Sequence, residues 1–573
     1  MNAELLRRVC RRVGRCAVIA SWLAAGLPAL PGESAAAPPE ITAIYPGGGQ
    51  RGTHVTLTLQ GKVDPAHLQL WCDQPGVELI GPAGKDSVEL KIAPDAAPGW
   101  CWLGFFNAEG AAGQRPFQIG TLPEVLEAEP NDRLVSASSL NLQPAVVCNG
   151  VLDKRNDVDT FPFSLAAGQT VVASLAARQP LGSPVDAVLQ LVDARGFVLA
   201  HSDDAEEFDP RLVFTAPREG VYAVRVFGFP ATPDSSIRFS SGANYVYRLT
   251  LASGPVAGWV FPPAVPANKP STVQPIGWNL PLETRWELPP LSPGVHLLHG
   301  VHVPSGSEAV SFARVWVTPW DCLSAAEENS QAQPQPVAIP ACVAGRLAPQ
   351  REHAWKFAAK KGEVVMLKAA ARELGSPLDV LLRVMDASGK LLQEVDDAPQ
   401  APVDVRLEFQ PPSDGDYVAM IRDRFAHGGT DYLYALTIAP PQPEFVLSVA
   451  GDAFTFPPAK DFELTVHIEG RDGFDDEVEL TVEGLPEGCT AEPVKVVPMG
   501  AGTAGRGGRR RNNSAPSNSA KLVIKTTKTD GWAGVFRVVG RTTGDTPQER
   551  YAVGRPPNSP VPRPQLLAVI PAK

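Results

Sequence analysis

The sequence predicts an all-β protein, built as a tandem array of β-sandwiches. Apolar and polar residues alternate in many short runs, which is the pattern of half-buried strands. The 573 residues include 58 prolines and 51 glycines, enough to supply the many turns that short strands require. A long segment also recurs, because GSPVDAVLQLVDARG from Gly182 returns as GSPLDVLLRVMDASG from Gly375. Duplication on this scale is typical of modular chains.

Composition and sequence motifs argue against several functional classes. The formal net charge of −11 disfavours a nucleic-acid partner, since phosphate backbones are bound by concentrated Lys and Arg. The sequence has no GxSxG nucleophile motif, no HExxH and no phosphate-binding glycine loop. A duplicated module more often supplies a binding surface than a catalytic site, so we expect a non-catalytic chain. A catalytic triad assembled from distant segments stays open at this point.

Residues 1–37 are predicted to be an export signal. Arginines between Arg7 and Arg15 form a charged region, an apolar stretch covers 16–30, and small residues at 34–37 suit a signal peptidase. The apolar stretch is too short to span a bilayer comfortably, so a retained anchor is the less favoured alternative. We therefore expect an exported protein, located in the periplasm, at the cell surface or outside the cell, with no integral membrane segment once the signal is removed.

Six cysteines follow the predicted signal, and an exported chain can keep disulfides. We expect the pairs Cys72 with Cys101 and Cys322 with Cys342, because the members of each pair lie within one predicted module. Cys148 and Cys489 remain unassigned. The spacing of the cysteines matches no zinc motif.

Residues 38–120 predict a small antiparallel sandwich of the immunoglobulin-like type. Alternating runs at 54–59, 68–71 and 87–92 are separated by glycine- and proline-containing turns. Pro46-Gly47, Arg51-Gly52-Thr53, Gly61 and Pro98-Gly99 together make the segment similar to the IPT/TIG family. A diverged copy is predicted over 253–320, where Phe261-Pro262 stands in the place of Tyr45-Pro46.

Two larger sandwiches are predicted over 121–252 and 321–440, where the duplicated sequence lies. The remainder, 441–573, contains further alternating runs and predicts an immunoglobulin- or fibronectin-like module. Within it, residues 500–519 are rich in Gly and Arg without apolar periodicity, which predicts a disordered loop. A cationic docking peptide is the alternative for this loop.

An acidic cluster opens the first large sandwich. Four oxygen-bearing side chains occur within the segment EAEPND, and an Asp-x-Asp follows about 25 residues later. Carboxylate and amide oxygens in this number suit calcium, which takes six to eight oxygen ligands, provided the two segments meet. The alternative is a solvated acidic turn. The candidate ligands are Glu127, Glu129, Asn131, Asp132, Asp157 and Asp159.

The segment also resembles a known family. EAEPND, the Gly150-Val151-Leu152 run, DVDTF, Ala167-Gly168-Gln169 and Gly220-Val221-Tyr222 together are similar to the bacterial pre-peptidase C-terminal (PPC) domain. The resemblance implies a jelly-roll-like β-sandwich of a kind found on exported peptidases and on exported proteins without one. Some members, including collagen-binding domains of clostridial collagenases, hold calcium with these segments, which implies the same role for the six candidates. The whole architecture resembles exported planctomycete-type proteins.

The second large sandwich departs from this pattern. It has Ser324 to Ser330 in place of EAEPND and a segment near Glu352-His353-Ala354 in place of DVD, so we expect no calcium site there. It keeps the Gly375 segment, Asp396-Asp397 and Gly415-Asp416-Tyr417, so we expect the fold to be intact. The Asp pairs 203–204 and 396–397 are interpreted as ordinary acidic turns.

The sequence thus predicts an exported, non-catalytic binding or adhesion protein that recognises a protein or polysaccharide and is stabilised by calcium in its first large sandwich. Two alternatives remain at this point. The chain could be an accessory of a secreted peptidase, or a divergent peptidase itself. It could also be a self-assembling structural protein of the cell envelope.

Overall fold

The computed structural model describes residues 37–134, 142–205, 209–230, 238–304, 308–396, 405–499, 517–542, 547–555 and 563–572. The predicted signal and almost all of the predicted disordered loop lie outside the described residues. The described part belongs to one compact unit, Ala36–Lys573. Among these residues, no helix has the length and apolar character needed to cross a bilayer.

The all-β prediction is confirmed. The named elements are 47 strands and two single 3₁₀ turns, Pro65–His67 and Arg372–Leu374. The strands form ten principal sheets, which pair as five successive sandwiches, here called sandwiches 1 to 5. Each sandwich has its own core cluster between its two sheets.

Sandwich 1 places the sheet β1-β3-β6-β5 against the sheet β2-β9-β7-β4, with β8 beside β7. Leu57, Leu90, Phe105 and Phe117 are fully buried between them, because alternate residues of each strand face inward. Its strands are β1 (Glu40–Tyr45), β2 (Gly48–Gln50), β3 (His54–Lys62), β4 (Gln69–Cys72), β5 (Val77–Gly84), β6 (Ser87–Ile92), β7 (Gly99–Asn107), β8 (Gly110–Ala111) and β9 (Arg115–Gly120).

Sandwich 2 places the sheet β10-β11-β18-β13-β16 against β12-β17-β14-β15. Phe161, Phe163 and Tyr247 are among its largest fully buried side chains. Its strands are β10 (Glu124–Leu126), β11 (Ala145–Val151), β12 (Asp159–Leu165), β13 (Thr170–Ala176), β14 (Val185–Asp193), β15 (Val198–Ser202), β16 (Arg211–Thr215), β17 (Gly220–Pro230) and β18 (Val246–Ala252).

Sandwich 3 is smaller, with the sheets β22-β21-β19-β25-β24 and β20-β26-β23. Its core is built around Val260, Val273, Trp286 and Val315. Its strands are β19 (Val256–Phe261), β20 (Ala264–Pro266), β21 (Ser271–Trp278), β22 (Trp286–Leu288), β23 (Gly294–Leu297), β24 (Val301–His302), β25 (Glu308–Ser311) and β26 (Arg314–Thr318).

Sandwich 4 repeats the strand order of sandwich 2. Its sheets are β27-β29-β36-β31-β34 and β28-β30-β35-β32-β33, so only β28 is additional. Its strands are β27 (Cys322–Ser324), β28 (Gln335–Pro336), β29 (Ala341–Arg346), β30 (Glu352–Ala359), β31 (Val365–Ala370), β32 (Val380–Asp386), β33 (Leu391–Val395), β34 (Val405–Phe409), β35 (Gly415–Asp423) and β36 (Leu433–Ala439).

Sandwich 5 places β41-β43-β39-β37-β46 against β38-β47-β44-β40-β42, with β45 beside β44. Phe445, Phe456 and Phe536 fill its centre. Its strands are β37 (Glu444–Val449), β38 (Ala453–Thr455), β39 (Phe462–Arg471), β40 (Val478–Glu483), β41 (Cys489–Ala491), β42 (Val494–Val496), β43 (Ser519–Thr526), β44 (Asp530–Thr542), β45 (Glu549–Tyr551), β46 (Val553–Gly554) and β47 (Leu566–Ala572).

A buried arginine joins sandwich 2 to sandwich 1. The side chain of Arg248 on β18 is 1% exposed and donates two hydrogen bonds, of 2.8 and 2.9 Å, to the carboxylate of Glu124. Its Nη1 also donates to Asn149 Oδ1, and its Nε donates to Gln118 Oε1 in sandwich 1. A Cβ on Gly48 would lie 2.3 Å from Arg248 Nη1, so the glycine makes room for the guanidinium. Arg248 therefore binds β10 through Glu124 and also stabilises the junction between sandwich 2 and sandwich 1.

The last sandwich of the chain contacts the first, because sandwich 5 packs against sandwich 1. Asp452 Oδ2 accepts a 3.0 Å bond from the amide of Gln114, and Gln114 Nε2 donates to the carbonyl of Gln565. Arg563 pairs with Asp73 and lies over the ring of Trp102. These contacts join residues more than 300 positions apart in the sequence.

Removing the buried guanidinium should destabilise the protein strongly. In Arg248→Met the Glu124 carboxylate stays buried without its cation, and we expect a loss of about 3–5 kcal/mol in the free energy of unfolding of the affected unit. Denaturant titration measures it. Arg218→Met, on an exposed arginine of the same sandwich, serves as the control and should change stability by less than about 0.5 kcal/mol. Equal effects of the two substitutions would contradict the assigned role.

Candidate metal centre at the entrance of sandwich 2

The entrance segment of sandwich 2 runs beside its central strands. β10 pairs in parallel with β11, and the amide of Glu127 continues the ladder by donating to the carbonyl of Asn149. This places the segment after β10 next to the start of β12, where Asp159 lies, and next to the loop between β11 and β12. The two acidic segments of the sequence therefore meet.

Glu127 and Asp159 form a buried pair around a tyrosine. Tyr247 donates a 2.5 Å hydrogen bond to Asp159 Oδ2 and a 3.3 Å bond to Glu127 Oε2, while Glu127 Oε1 accepts from the amide of Val151. Asp159 and Tyr247 are fully buried. Gly150 is required beside them, because a Cβ there would lie 2.1 Å from the Tyr247 hydroxyl.

The ionisation of this pair is strongly perturbed. Burial raises the pKa of Glu127 to about 7, opposed by its hydrogen bonds to Asp159 and Val151. Burial, followed by the charge of Glu127, raises the pKa of Asp159 to about 10. At neutral pH the two carboxyl groups therefore keep a proton between them. Two carboxyl groups this close are both ionised only when a positive charge lies beside them.

A second acidic group lies beside the first. One carboxylate oxygen from each of Glu129, Asp153 and Asp157 comes within 4.8 Å of the others. Glu129 Oε1 contacts Lys154 Nζ at 2.7 Å, and Asp157 Oδ2 accepts from the amides of Asp153 and Lys154. Burial raises the pKa of Asp157. The lysine offsets only part of the negative charge.

Several buried polar atoms of this region lack partners among the described residues. They are both amide atoms of Asn131, Asp157 Oδ1 and Asp159 Oδ1, and the three residues are 1% exposed or less. Buried oxygen and nitrogen atoms are almost always hydrogen-bonded in proteins or bound to water or an ion. Unpartnered oxygen atoms beside further carboxylates are the donor set that a hard divalent cation prefers. The residues present therefore fit calcium.

The structure brings together most of the predicted ligands and adds others. Glu127 with Asp159, and Glu129 with Asp157, form the two contacting groups, and Asn131 is buried in the same segment. The side chain of Asp132 is exposed, and its carbonyl accepts from Thr160. Asp153 and Tyr247 were not among the predicted residues. The DKRND spacing of 153–157 could have indicated Asp153, whereas Tyr247 is 88 residues from Asp159 and gave no signal.

Sandwich 4 shows the same position without the carboxylates of Glu127, Asp157 and Asp159. Equivalent residues follow from the register, since Gly150 pairs with Tyr247 as Gly345 pairs with Tyr434. His353 stands in the place of Asp159, and its Nδ1 lies 2.8 Å from the Tyr434 hydroxyl. Burial lowers the pKa of His353 to about 4, so the imidazole is neutral. By the same register Ala325 replaces Glu127 and Arg351 replaces Asp157.

The equivalent asparagine has partners in sandwich 4. Asn329 Oδ1 accepts a 2.6 Å bond from the amide of Ala354, and Asn329 Nδ2 donates to Gln335 Oε1. In sandwich 2 the corresponding amide of Asn131 has no described partner. The duplicated fold thus satisfies this position internally where the carboxylates are missing, and leaves oxygen atoms free where they are present.

Comparison with known proteins identifies part of this sandwich. Residues 157–228 match the family model described as the bacterial pre-peptidase C-terminal domain. A probable subtilase-type serine protease of Deinococcus radiodurans is 35% identical over 98 residues. That match covers 17% of this chain and 14% of the protease, so it concerns a small part of either protein.

Solved structures give weaker similarity. An M60 catalytic domain with two CBM51 domains, from Clostridium perfringens ZmpB, is 10% identical over 69% of this chain and 54% of its own, with a TM-score of 0.13. A Bacteroides ovatus mixed-linkage glucan utilisation protein, SGBP-B, is 10% identical over 72% and 98%, also at 0.13. These scores are too low for a shared arrangement of the whole chain. The similarity that bears on this protein is therefore that of residues 157–228 to the pre-peptidase C-terminal domain.

Proposed function

We propose that this chain is an exported, non-catalytic binding protein, in which sandwich 2 is a PPC module fastened by calcium and the chain adheres to a protein or polysaccharide at the cell surface or outside the cell. Its modules would follow the order TIG-like, PPC-like, TIG-like, PPC-like and immunoglobulin-like. The observation that carries the proposal is the acidic entrance of sandwich 2, where buried Asp157 lies with the exposed residues Glu129 and Asp153, in a module whose residues 157–228 match the bacterial pre-peptidase C-terminal domain.

Calcium would complete the entrance of sandwich 2. Glu127, Glu129 and Asn131 lie on the entrance segment, whereas Asp153, Asp157 and Asp159 lie on the loop before β12 and at its start. A cation bound by both sets would neutralise the carboxylates and tie the segment to the loop. Tyr45 of sandwich 1 reaches the same place, because its hydroxyl donates to the carbonyl of Asn149 and the charges of Glu127 and Asp159 help to raise its pKa. The ion would therefore also stabilise the junction between the sandwiches.

An aromatic cluster beside this loop is the proposed contact surface. Phe227, Phe229 and Phe239 have ring centroids 4.7–6.3 Å apart, and Phe229 is 45% exposed. They lie on the outer face of the sheet β12-β17-β14-β15, where Asp186 is the cross-strand partner of Phe229. Phe227 is buried, and the exposed ring of Phe229 next to a carboxylate suits a sugar face or a peptide side chain, since it offers apolar area with a nearby hydrogen-bond acceptor.

The cluster is linked to the proposed calcium loop. The amide of Phe239 donates to Asn156 Oδ1 within the 153–157 loop. Sandwich 4, where the acidic entrance is replaced, has Arg422 and Arg424 at the positions of Phe227 and Phe229. The aromatic surface and the acidic entrance thus occur in the same sandwich, which supports a binding face that depends on calcium.

The similarity to a protease supports a second candidate. A chain that shares 98 residues at 35% identity with a probable subtilase-type serine protease could serve as an accessory of a secreted peptidase. The surface needed for that role is the same one, because an accessory chain must also hold a substrate or the enzyme. The two candidates differ in whether captured material is cleaved.

Calcium should raise the melting temperature of the full chain. Saturation at 100 times the dissociation constant adds about 2.7 kcal/mol to the stability of the unit that binds. The double substitution Glu129→Ala with Asp159→Ala should abolish the rise, and calorimetry in calcium and in chelator measures it. Glu327→Ala, at the position in sandwich 4 that corresponds to Glu129, is the matched control and should leave the rise intact. An equal rise in the double variant would contradict the site.

The pH dependence in chelator should identify the buried pair. A carboxyl group whose pKa is raised by folding adds stability below its unfolded pKa, near 4, and loses it as the pH rises through the folded pKa. Wild-type sandwich 2 should therefore lose stability between about pH 4 and pH 7 as Glu127 ionises, and further above pH 7 with Asp159. Asp159→Asn removes the charge and keeps an acceptor for Tyr247.

We expect Asp159→Asn to melt higher than the wild type in chelator at pH 8, to show a flatter pH profile and to lose the response to calcium. Thermal melts from pH 5 to pH 8 measure these differences. Asp452, whose pKa burial raises to about 6, titrates in the same range but is present in both proteins and cancels in the comparison. A variant that melts lower than the wild type at every pH would contradict the assignment.

Retention on extracellular material should depend on the aromatic cluster. Phe229→Ala should weaken the retention of the full chain on envelope and extracellular polymers about tenfold, since it removes an exposed ring worth about 1.4 kcal/mol. Val221→Ala is the control, at an equally exposed position near the start of the same strand. The pull-down is run with calcium and with chelator. Equal loss in both variants would contradict the proposed face, and cleaved prey would favour the peptidase candidate.

A further inference from the structure

Two cysteines face each other at the entrance of sandwich 4. β27 pairs in parallel with β29, and Cys322 is the direct cross-strand partner of Cys342. Each thiol is the leading influence on the pKa of the other, so the two side chains are close neighbours. Neighbouring strands lie about 4.8 Å apart, within the range of about 4.4–6.8 Å between the Cα atoms of disulfide-bonded cysteines. Both cysteines are free thiols in the structure, and the register places their Cα atoms at the separation of neighbouring strands, which a disulfide can span.

One of the two equivalent positions in sandwich 2 carries the ionic contact described above. There the register pairs Glu124 with Val147, and Glu124 is bound by Arg248. In sandwich 4 the place of Arg248 is taken by Ala435, which is fully buried. Cys322 stands at the position of Glu124. Sandwich 4 thus lacks the ion pair that fastens the entrance strand of sandwich 2.

We propose that Cys322 and Cys342 form a disulfide that fastens the entrance strand of sandwich 4 in place of that ion pair. The bond lies at a junction, because Cys342 packs with Ala370, Leu374 and Ala435 against Ala264 of sandwich 3. It closes the loop between β27 and β29, which includes β28. The proposed disulfide requires no ligand or metal.

The two thiols differ in a way that sets the order of reaction. Cys342 is fully buried, whereas Cys322 is partly exposed. The hydrogen bond from Cys342 lowers the pKa of Cys322, and the same contact together with burial raises the pKa of Cys342. Cys322 is thus the thiolate that meets an external reagent first.

Oxidation proceeds by exchange with a disulfide-bearing oxidant, either a protein dithiol–disulfide oxidant or glutathione disulfide. The Cys322 thiolate attacks one sulfur of the oxidant and releases its other half as a thiolate. Cys342 then loses its proton and displaces the second half, which closes the Cys322–Cys342 bond. The pair gives up two electrons and two protons, and the oxidant leaves as two thiols.

Peptide mapping tests the bond directly. The full chain is equilibrated with glutathione disulfide, alkylated in denaturant without reductant, and digested with trypsin and a glutamate-specific protease. Trypsin alone leaves both cysteines in 315–346, because no Lys or Arg lies between them, and cleavage after Glu327 or Glu328 separates them. We expect the two fragments to remain joined and to separate after reduction. Recovery of both as separate alkylated or glutathionylated peptides would overturn the proposal.

An internal control is available in sandwich 2. Cys148 is fully buried and faces Val125 and Leu249 on the neighbouring strands, so it should be recovered as a monomeric alkylated peptide. Cys72 and Cys101 are a similar neighbouring pair in sandwich 1, and the same digest shows whether their peptides are joined. Because a disulfide in that second pair would also respond to reductant, melting is compared between proteins. Dithiothreitol should lower the melting temperature less in Cys322→Val than in the wild type, and equal falls would count against the bond.

Discussion

The need to compensate buried negative charge governs the entrance of sandwich 2. Glu124, Glu127, Asp157 and Asp159 are mostly removed from water, and an isolated buried carboxylate costs far more than a typical protein's net stability can tolerate. Arg248 compensates one of them with two short hydrogen bonds. The remaining pair, Glu127 and Asp159, has a shared proton, the hydroxyl of Tyr247 and the amide of Val151. A divalent cation would satisfy the carboxylates, the Asn131 amide oxygen and the local charge together.

The duplicated sandwich shows that the fold itself does not require this charge. In sandwich 4 the tyrosine is kept, but its partner is the neutral imidazole of His353, and the retained asparagine is bonded to backbone and to Gln335. Both sandwiches keep a glycine where a Cβ would collide with the tyrosine hydroxyl. The shared residues therefore belong to the fold common to both sandwiches, whereas the carboxylates of Glu127, Asp157 and Asp159 occur only in sandwich 2.

The sequence predicted the parts of this arrangement that depend on local pattern. Period-two alternation predicted strands such as Phe462–Arg471, because side chains of successive strand residues face opposite sides of a sheet. The acidic segments were visible because their residues are close together in the chain. Tyr247 and Arg248 could not be assigned roles, since each acts on residues 88 to 124 positions away and both look like ordinary members of an alternating strand. Their roles depend on the register between β11 and β18, which the sequence pattern does not show.

The contact between the first and last sandwiches was not predictable either, and it changes how binding should be understood. A chain of sandwiches on flexible linkers would gain affinity by multivalency, which depends on effective concentration. Here Asp452, Gln114, Arg563 and Asp73 join sandwich 5 to sandwich 1 through buried or half-buried polar contacts. Contacts of this kind are specific in geometry, because each misplaced polar group would be left unsatisfied. In the proposed function, a surface such as the aromatic cluster would be held in place by these contacts, so its affinity would derive from preorganisation, with little ordering entropy lost on binding.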